Sequence, residues 1–395
     1  MFALGGAGEA GRGTARKLVK SDVVTEIVVA ARNLEAARCV AAELGDKASV
    51  VQIDIRDEKR LVSQMADSDI ILNTIGPDCK STLPILHAAI KSGVNYCDLC
   101  CHGLTRQKAL ELDGAAKASN ITALMGIAIC GLSNLMMMHA AHRLDRAEEL
   151  RCNIFSPVIQ WGDPQTMLEE WRKSGSPIAS WQSGMRMAAD KTPIYRNGRW
   201  INVDPLKEAV HLKIPLGGET TAYPLGYAEP ITIPRALPNI QSVSTNWSLF
   251  PQYVNEKLFE IGHRLAKGEF DEPGALIAFY EYLAAQPKGS LDVPKEYEGA
   301  YGFLLWIEAI GMKNSQRTRY SCWPAGVWES WASSTGTTAT AVLKVLRGDV
   351  RSKGVISPES CFDPMPFFAE MAKNASVEVP NGRFLDESFE TLGNQ

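Results

Sequence analysis

No stretch of the 395 residues reaches 18 consecutive apolar residues, so the sequence offers no membrane-spanning helix. Long basic runs are also missing, and the net charge is −4, which argues against a nucleic-acid partner. There is no internal repeat and no low-complexity segment. The N-terminus has no signal-peptide pattern, because an apolar strand and a glycine turn begin at once. Nine cysteines, an odd number, show no disulfide framework, so we expect a cytoplasmic chain with reduced thiols. The run Cys97-Asp98-Leu99-Cys100-Cys101-His102 holds a CxxC and a histidine but lacks a second ligand pair, so no metal site is assigned. His139 and His142 lie three apart on one helical face without a third ligand, which favours packing over ligation. With 45% hydrophobic and 22% charged residues over this length, the composition fits a soluble globular protein of two domains.

What is present organises around residues 2–32. Phe2-Ala3-Leu4 reads as a strand, and a helical run to Lys20 follows the turn Gly5-Gly6-Ala7-Gly8-Glu9-Ala10-Gly11. Gly6, Gly8 and Gly11 have GxGxxG spacing between that strand and that helix. The first glycine permits a tight turn, the second close approach of backbone to a pyrophosphate, the third close helix packing. The start of the helix, at Glu9 and Ala10, offers free N–H groups and the positive end of its dipole. A second strand, Ile27 to Arg32, arrives at the right distance. Its tip lacks the acid that holds a ribose 2′-hydroxyl in NAD sites and carries Arg32, followed by Asn33, which favours a 2′-phosphate. The expected cofactor is therefore NADP, with NAD as the alternative.

Further on, strands and helices alternate: helix Leu34–Leu44, strand Val50–Asp54, helix Asp57–Met65, strand Ile70–Asn73, helix Leu83–Ser92, strand Asn95–Leu99, helix Gln107–Ser119, strand Thr122–Gly126. This rhythm predicts an α/β fold, a Rossmann-type doubly wound parallel sheet covered on both faces. Ligands in such sheets sit beyond the carboxyl ends of the strands. That rule selects Asp54 near adenine, Asn73, Thr74, Gly76 and Pro77 along the ribose and nicotinamide, and Asp98 with the Cys100–Gly103 loop. A helix is expected over Asn134–Asp145. From Arg151 the rhythm is lost and an α+β segment begins, with an Asn197-Gly198 hairpin signal. All nine tryptophans lie between Trp161 and Trp331. They build a core, or else Trp161, Trp171 and Trp181 line an amphipathic pocket. A helix is expected from Gly336 to Leu346 and another from Phe367 to Lys373, and the polar tail from Asn374 reads as peripheral.

Several motifs in order resemble the saccharopine dehydrogenase family: GGAGEAGRGTARKL at 5–18, AARNLEAA at 30–37, NTIGP at 73–77, GVNYCDL at 93–99, GLSNL at 131–135 and KGVISPESCFDP at 353–364. The resemblance implies a Rossmann domain over 1–133, an inserted α+β substrate and dimerisation domain over 134–334, and a C-terminal segment, 335–395, returning to the Rossmann domain. It implies an NAD(P)-dependent oxidoreductase acting on C–N bonds of a small molecule, and a homodimer. Carried over, Tyr96 to Asp98 fall near the reacting centre. Asp98 would stabilise an iminium and His102 would exchange a proton, unless Asp98 caps the following turn and His102 is a loop residue. The family's GLDPG turn is replaced by Gly131-Leu132-Ser133-Asn134, and the arginines of the insert are not clustered. These departures point away from saccharopine and toward a more apolar amine-derived substrate in specialised metabolism. Reduction of a C=O or C=C bond is the alternative, and a dinucleotide-binding protein without catalysis is the third.

Overall fold

The computed structural model describes residues 1–215, 217–294, 304–325, 330–375 and 379–393. The chain divides into two compact units, Met1–Leu135 with Ser330–Val379 and Met136–Glu329 with Pro380–Gln395.

The first unit is built on seven parallel strands: β1 (Phe2–Leu4), β2 (Ile27–Ala31), β3 (Ala48–Gln52), β4 (Ile70–Asn73), β5 (Asn95–Asp98), β6 (Thr122–Leu124) and, late in the chain, β15 (Gly354–Ile356). Their order is β15-β6-β5-β4-β1-β2-β3. The order reverses direction between β1 and β4, so the carboxyl ends of those two strands form the topological switch point. The central strands are buried on both faces, which is why they read as short apolar runs such as Ile70-Ile71-Leu72, each fully buried, whereas the edge strand β3 has no buried residue. The helices α1 (Glu9–Leu18), α2 (Leu34–Leu44), α3 (Glu58–Met65), α4 (Asp78–Ser92), α5 (Gly103–Leu110) and α6 (Asp113–Ala118) follow the strands in turn.

Some element bounds differ from the sequence expectation for identifiable reasons. The expected helix over 107–119 is two helices, because His102 caps a start at Gly103 and Leu112 leaves helical geometry at ψ 0°. α4 starts at Asp78, with Pro77 as its N-cap residue, rather than at Leu83. β3 ends at Gln52, so Asp54 stands in the following turn and not in the strand.

Helix α7 (Ile129–His142) begins five residues earlier than expected, and the boundary between the units falls inside it, after Leu135. The second unit holds β7 (Arg146–Pro157), α8 (Pro164–Ser174), α9 (Ala179–Ala189), β8 (Thr192–Arg196), β9 (Arg199–Val203), β10 (Val210–Lys213), β11 (Glu219–Pro224), α10 (Glu229–Ala236), β12 (Ser242–Phe250), α11 (Val254–Ala266), α12 (Glu272–Ala284), β13 (Leu304–Lys313) and β14 (Gln316–Pro324). Its sheet is mixed: β7 pairs parallel with β12 and antiparallel with β13. The Asn197-Gly198 signal is a hairpin turn, with φ of 51° and 72° joining β8 to β9.

Trp171 and Trp181 pack on Tyr280, at ring distances of 4.5 and 5.6 Å, inside the helical core of this unit. Trp171 meets both rings edge-on and Trp181 stacks on Tyr280, which fits the core-building alternative. Trp328 and the side chains of Trp161 and Trp331 lie outside the described residues. His139 faces Tyr320 at 6.2 Å, and burial pushes its pKa down. Glu308 is buried in the sheet, accepting from Asn153 Nδ2 at 3.3 Å with Arg319 at 3.7 Å. Burial pushes its carboxyl pKa up.

The C-terminal segment divides. Helix α13 (Ser330–Leu346), β15 and helix α14 (Pro364–Ala375) belong to the first unit. The end of the chain does not return with them. Strand β16 (Leu385–Thr391) adds to β14 in the second unit, where Phe389 packs on Tyr320 at 4.9 Å and Arg319 pairs with Glu390 at 2.7 Å. Its alternating side chains gain a partner strand that the sequence does not announce. Among the described residues no helix is long and apolar enough to cross a membrane.

Candidate functional site

The glycine turn between β1 and α1 lies at the switch point. Gly5 has φ +74°, a left-handed conformation that disfavours a side chain. Sequence reasoning passed over Gly5, although the Gly5-Gly6 pair at a strand end was its signal. A Cβ on Gly6 would lie 2.9 Å from Ala3 O, and one on Gly8 3.2 Å from Gly5 O. A Cβ on Gly11 would lie 2.4 Å from Gly5 O and 2.8 Å from Gly6 Cα. The third glycine therefore lets α1 sit directly on the turn, as its spacing predicts.

Gly8 is the N-cap residue of α1 and supplies no side-chain cap. Its own N–H donates to Gly5 O at 2.8 Å, and helical bonding resumes with Arg12 N to Gly8 O. The N–H groups of Glu9, Ala10 and Gly11 have no acceptor among the described residues. Gly8 and Glu9 are exposed. Three free amides at the positive end of a ten-residue helix, with no side chain above the N-cap, fit a pyrophosphate.

Thr74 buttresses this turn. Both its N–H and its hydroxyl donate to Leu4 O, each at 2.9 Å, joining the ends of β4 and β1. Its Oγ1 would be 2.8 Å from a Cβ on Gly5. Asn73 is buried and turns its Oδ1 to Ile75 N at 3.0 Å, which fixes the loop toward Gly76 and Pro77.

At the other end, Arg32 follows β2 directly and is exposed, with no hydrogen-bond or ion-pair partner for its guanidinium among the described residues. Asn33 is the N-cap of α2, accepting from Ala36 N at 3.1 Å, so its carbonyl is committed to the helix. Asp54 accepts from Arg56 Nε at 3.0 Å, and that guanidinium holds its carboxyl down at about 2.

Tyr96, Asp98 and His102 come together differently from the sequence expectation. Tyr96 is fully buried, donates to Asp98 Oδ2 at 3.0 Å, and accepts from Asn73 Nδ2 at 3.0 Å. Asp98 Oδ1 accepts from Cys100 N at 3.1 Å and Gly126 N at 2.8 Å. Both carboxylate oxygens are thus engaged, and only 1% of the residue is exposed. Burial pushes its pKa up, against Arg106 and the two amides, which lower it. The alternative reading, in which Asp98 caps the following turn, is the arrangement found. His102 is 4% exposed and caps α5, its Nδ1 accepting from Thr105 N at 3.3 Å. Asp78 Oδ2 accepts from Cys101 N at 2.8 Å and His102 N at 3.2 Å, tying this loop to the start of α4.

Sequence reasoning missed Arg106. It is 1% exposed, and its Nη2 donates to Ser357 Oγ, just beyond β15. It stands just before the helix expected from Gln107, and an arginine there carries no local signal of burial. Asn73, Tyr96, Asp98 and Gly126 thus form one buried chain across the carboxyl ends of β4, β5 and β6.

Residues 2–124 match the saccharopine dehydrogenase NADP binding domain. A carboxyaminopropylagmatine dehydrogenase of Synechocystis is 22% identical over 407 aligned positions, covering 96% of this chain and 97% of the relative. A trans-acting enoyl reductase of Mycobacterium ulcerans is 25% identical over 197 residues, 49% of this chain and 46% of the relative. The match therefore spans about half the length of the enoyl reductase. Among solved structures, a saccharopine dehydrogenase (L-Glu forming) of Saccharomyces cerevisiae covers 99% of both chains with a TM-score of 0.64 at 15% identity, a likeness of fold. Residues 2–124 are thus similar to the NADP-binding domain of saccharopine dehydrogenases, and the chain has the saccharopine dehydrogenase fold.

Proposed function

We propose that the chain is an NADP-dependent oxidoreductase acting on a carbon–nitrogen bond of a small, partly apolar amine or amino-acid-derived molecule. The observation that carries the cofactor reading is the set of unpaired amides of Glu9, Ala10 and Gly11 beneath a side-chain-free N-cap. Those amides would hold the pyrophosphate, and Arg32 the 2′-phosphate. Asp54 would lie at the adenine end, and Asn73 to Pro77 along the nicotinamide ribose. When bound, the cofactor supplies or accepts a hydride. We infer that Tyr96 and Asp98 act as positioning residues for the Asn73–Pro77 loop, since the Tyr96 hydroxyl and both Asp98 oxygens are spent on it and its neighbours. His102 would likewise hold the loop before α5. An iminium carbon is already electrophilic, so the protein's main task is orientation, which a rigid buried network serves.

The C–N preference is supported by the full-length likeness to a dehydrogenase named for an agmatine derivative. A second reading, reduction of a C=C bond, is favoured by the likeness to enoyl reductases over half the chain. The reading includes a homodimer in the cytoplasm, which a light-scattering mass of a single chain would remove. The activity test is NADPH consumption with a panel of amine-plus-carbonyl pairs, the same carbonyls alone, and enoyl thioesters. Turnover that requires the amine supports imine reduction. Turnover on the thioesters alone replaces it with the second reading.

A further inference from the structure

We propose that Arg56 is a second determinant of NADP preference, acting through Asp54: it neutralises a carboxylate that would otherwise repel the 2′-phosphate. This rests on the NADP reading above.

β2 and β3 are adjacent and parallel, with Ala31 opposite Gln52. Arg32 comes one residue after β2 and Asp54 two residues after β3, so both are delivered to one corner. Gln52 Nε2 donates to Arg32 O at 2.9 Å and ties the two strand ends together. Asp54 is near enough to Arg32 for that guanidinium to help stabilise its charge. The tip of β2 lacks the acid that NAD sites carry there, but an acid stands at the same corner, in the turn after β3. Alone, it would cancel Arg32 and repel a phosphate dianion.

The turn after β3 prevents this. Asp57 N donates to Asp54 O at 3.0 Å, closing a tight turn that folds Arg56 back over Asp54. Arg56 Nε lies 3.0 Å from both carboxylate oxygens, and Nη2 also donates. With Arg32 and Arg56 set against Asp54, the corner keeps one net positive charge. The Arg56 side chain is 82% exposed, and its planar fork retains unused donors. Its backbone N–H also donates to Asp54, at 3.0 Å. Removing the side chain therefore leaves the turn its backbone bond, and the fold survives the test.

The experiment titrates NADPH and NADH by fluorescence against the wild-type protein, Arg56→Ala, Arg56→Ala/Asp54→Asn and Arg32→Ala, at low and high salt. For Arg56→Ala we expect the preference for NADPH over NADH to fall roughly tenfold at low salt, the scale of one screened charge against a dianion. Adding Asp54→Asn should restore most of that ratio, and the whole effect should shrink at high salt. An Arg56→Ala protein whose two affinities change equally, or a double variant that stays as poor as the single one, overturns the role of Arg56. A wild-type protein that binds NADH as tightly as NADPH, or an Arg32→Ala protein with an unmoved ratio, overturns the NADP reading itself.

Discussion

Gly11→Ala is the sharpest perturbation of the cofactor site. A methyl group there would lie 2.4 Å from Gly5 O, 2.7 Å from Thr74 Oγ1 and 2.8 Å from Gly6 Cα. Two of those atoms are backbone of the glycine turn, and the Thr74 hydroxyl is held by Leu4 O. None can swing aside as a flexible side chain would. Relief requires α1 to lift from the turn by on the order of 1 Å to reach ordinary contact distance. Thr14, Ala15 and Leu18 are fully buried beneath it, so lifting opens packing that costs about 1–3 kcal/mol. Alanine returns up to ~1 kcal/mol of helix propensity. The net loss of stability should be about 1–2 kcal/mol, leaving the protein folded. Binding suffers more, because the amides of Glu9 and Ala10 move with the helix. Losing two charge-assisted bonds of about 1.5–3 kcal/mol each weakens NADPH by ~100-fold or more. Gly8→Ala, whose methyl would sit 3.2 Å from Gly5 O, should cost far less stability, while its methyl above the free amides should still weaken NADPH. The assay pairs NADPH fluorescence titration with thermal melting. A Gly11→Ala protein that binds NADPH within about threefold of wild type would refute the docking of α1 on the turn.

Other changes probe the surrounding structure. Tyr96→Phe strands the Asn73 amide and one Asp98 oxygen in a buried setting and should cost about 2–4 kcal/mol, read as a lower melting temperature. An unchanged melting temperature would mean that the three side chains are not bonded as described. Gly262→Ala places a methyl 2.4 Å from Ala188 O, where α11 meets α9, and should lower stability by about 1–3 kcal/mol while sparing NADPH affinity. Loss of NADPH binding in a folded Gly262→Ala protein would contradict that separation. Glu308 has a folded pKa raised above its unfolded value. Its contribution is therefore fully present below the unfolded value of about 4.5, and is lost as pH rises through the raised one. Glu308→Gln should flatten that fall in urea-unfolding midpoints, and an identical slope in variant and wild type would count against it.

Much of the first unit was legible because its signals are local. Phe2–Leu4, Leu34–Leu44 and Ile70–Asn73 have the expected bounds, since each is an apolar or alanine-rich run with a change of character at its end, at Gly5, Gly45 and Thr74. Asn33, expected at the cofactor beside Arg32, caps the start of α2. The glycine cradle was legible for the same reason, because one turn holds all its parts. Other features depend on which strands become neighbours. β15 is three residues long, too short to show a period, and exists because β6 offers it an edge. β16 looked like a polar tail until Tyr320, Arg143 and Arg319 supplied partners for Phe389, Glu387 and Glu390. Arg106 was invisible because its partner Ser357 lies 251 residues away.

The same distinction bears on Asp98. An acid at the end of a central strand in a doubly wound sheet occupies the position where reacting groups are expected, and spacing alone cannot separate a reacting carboxylate from a structural one. The separation comes from counting its bonds. Two oxygens receive three donors, from Tyr96, Cys100 and Gly126, and almost no surface is left to a ligand. Its donors and its burial fit a positioning role better than direct contact with a ligand. It also joins the Asn73 loop, through Tyr96, to the backbone after β6, through Gly126. Removing its charge should therefore disturb the loop before it disturbs any chemistry. Asp98→Asn replaces an accepting oxygen with a donor opposite the Tyr96 hydroxyl, which already accepts from Asn73. Tyr96 must then turn its proton away from the Asp98 oxygen that accepts it. The expected result is weaker NADPH binding together with lower stability, and Tyr96→Phe in the Asp98→Asn background should add little to either, because the two act through one hydrogen-bonded chain. Turnover lost at full NADPH affinity and full stability would instead return Asp98 to the reacting centre.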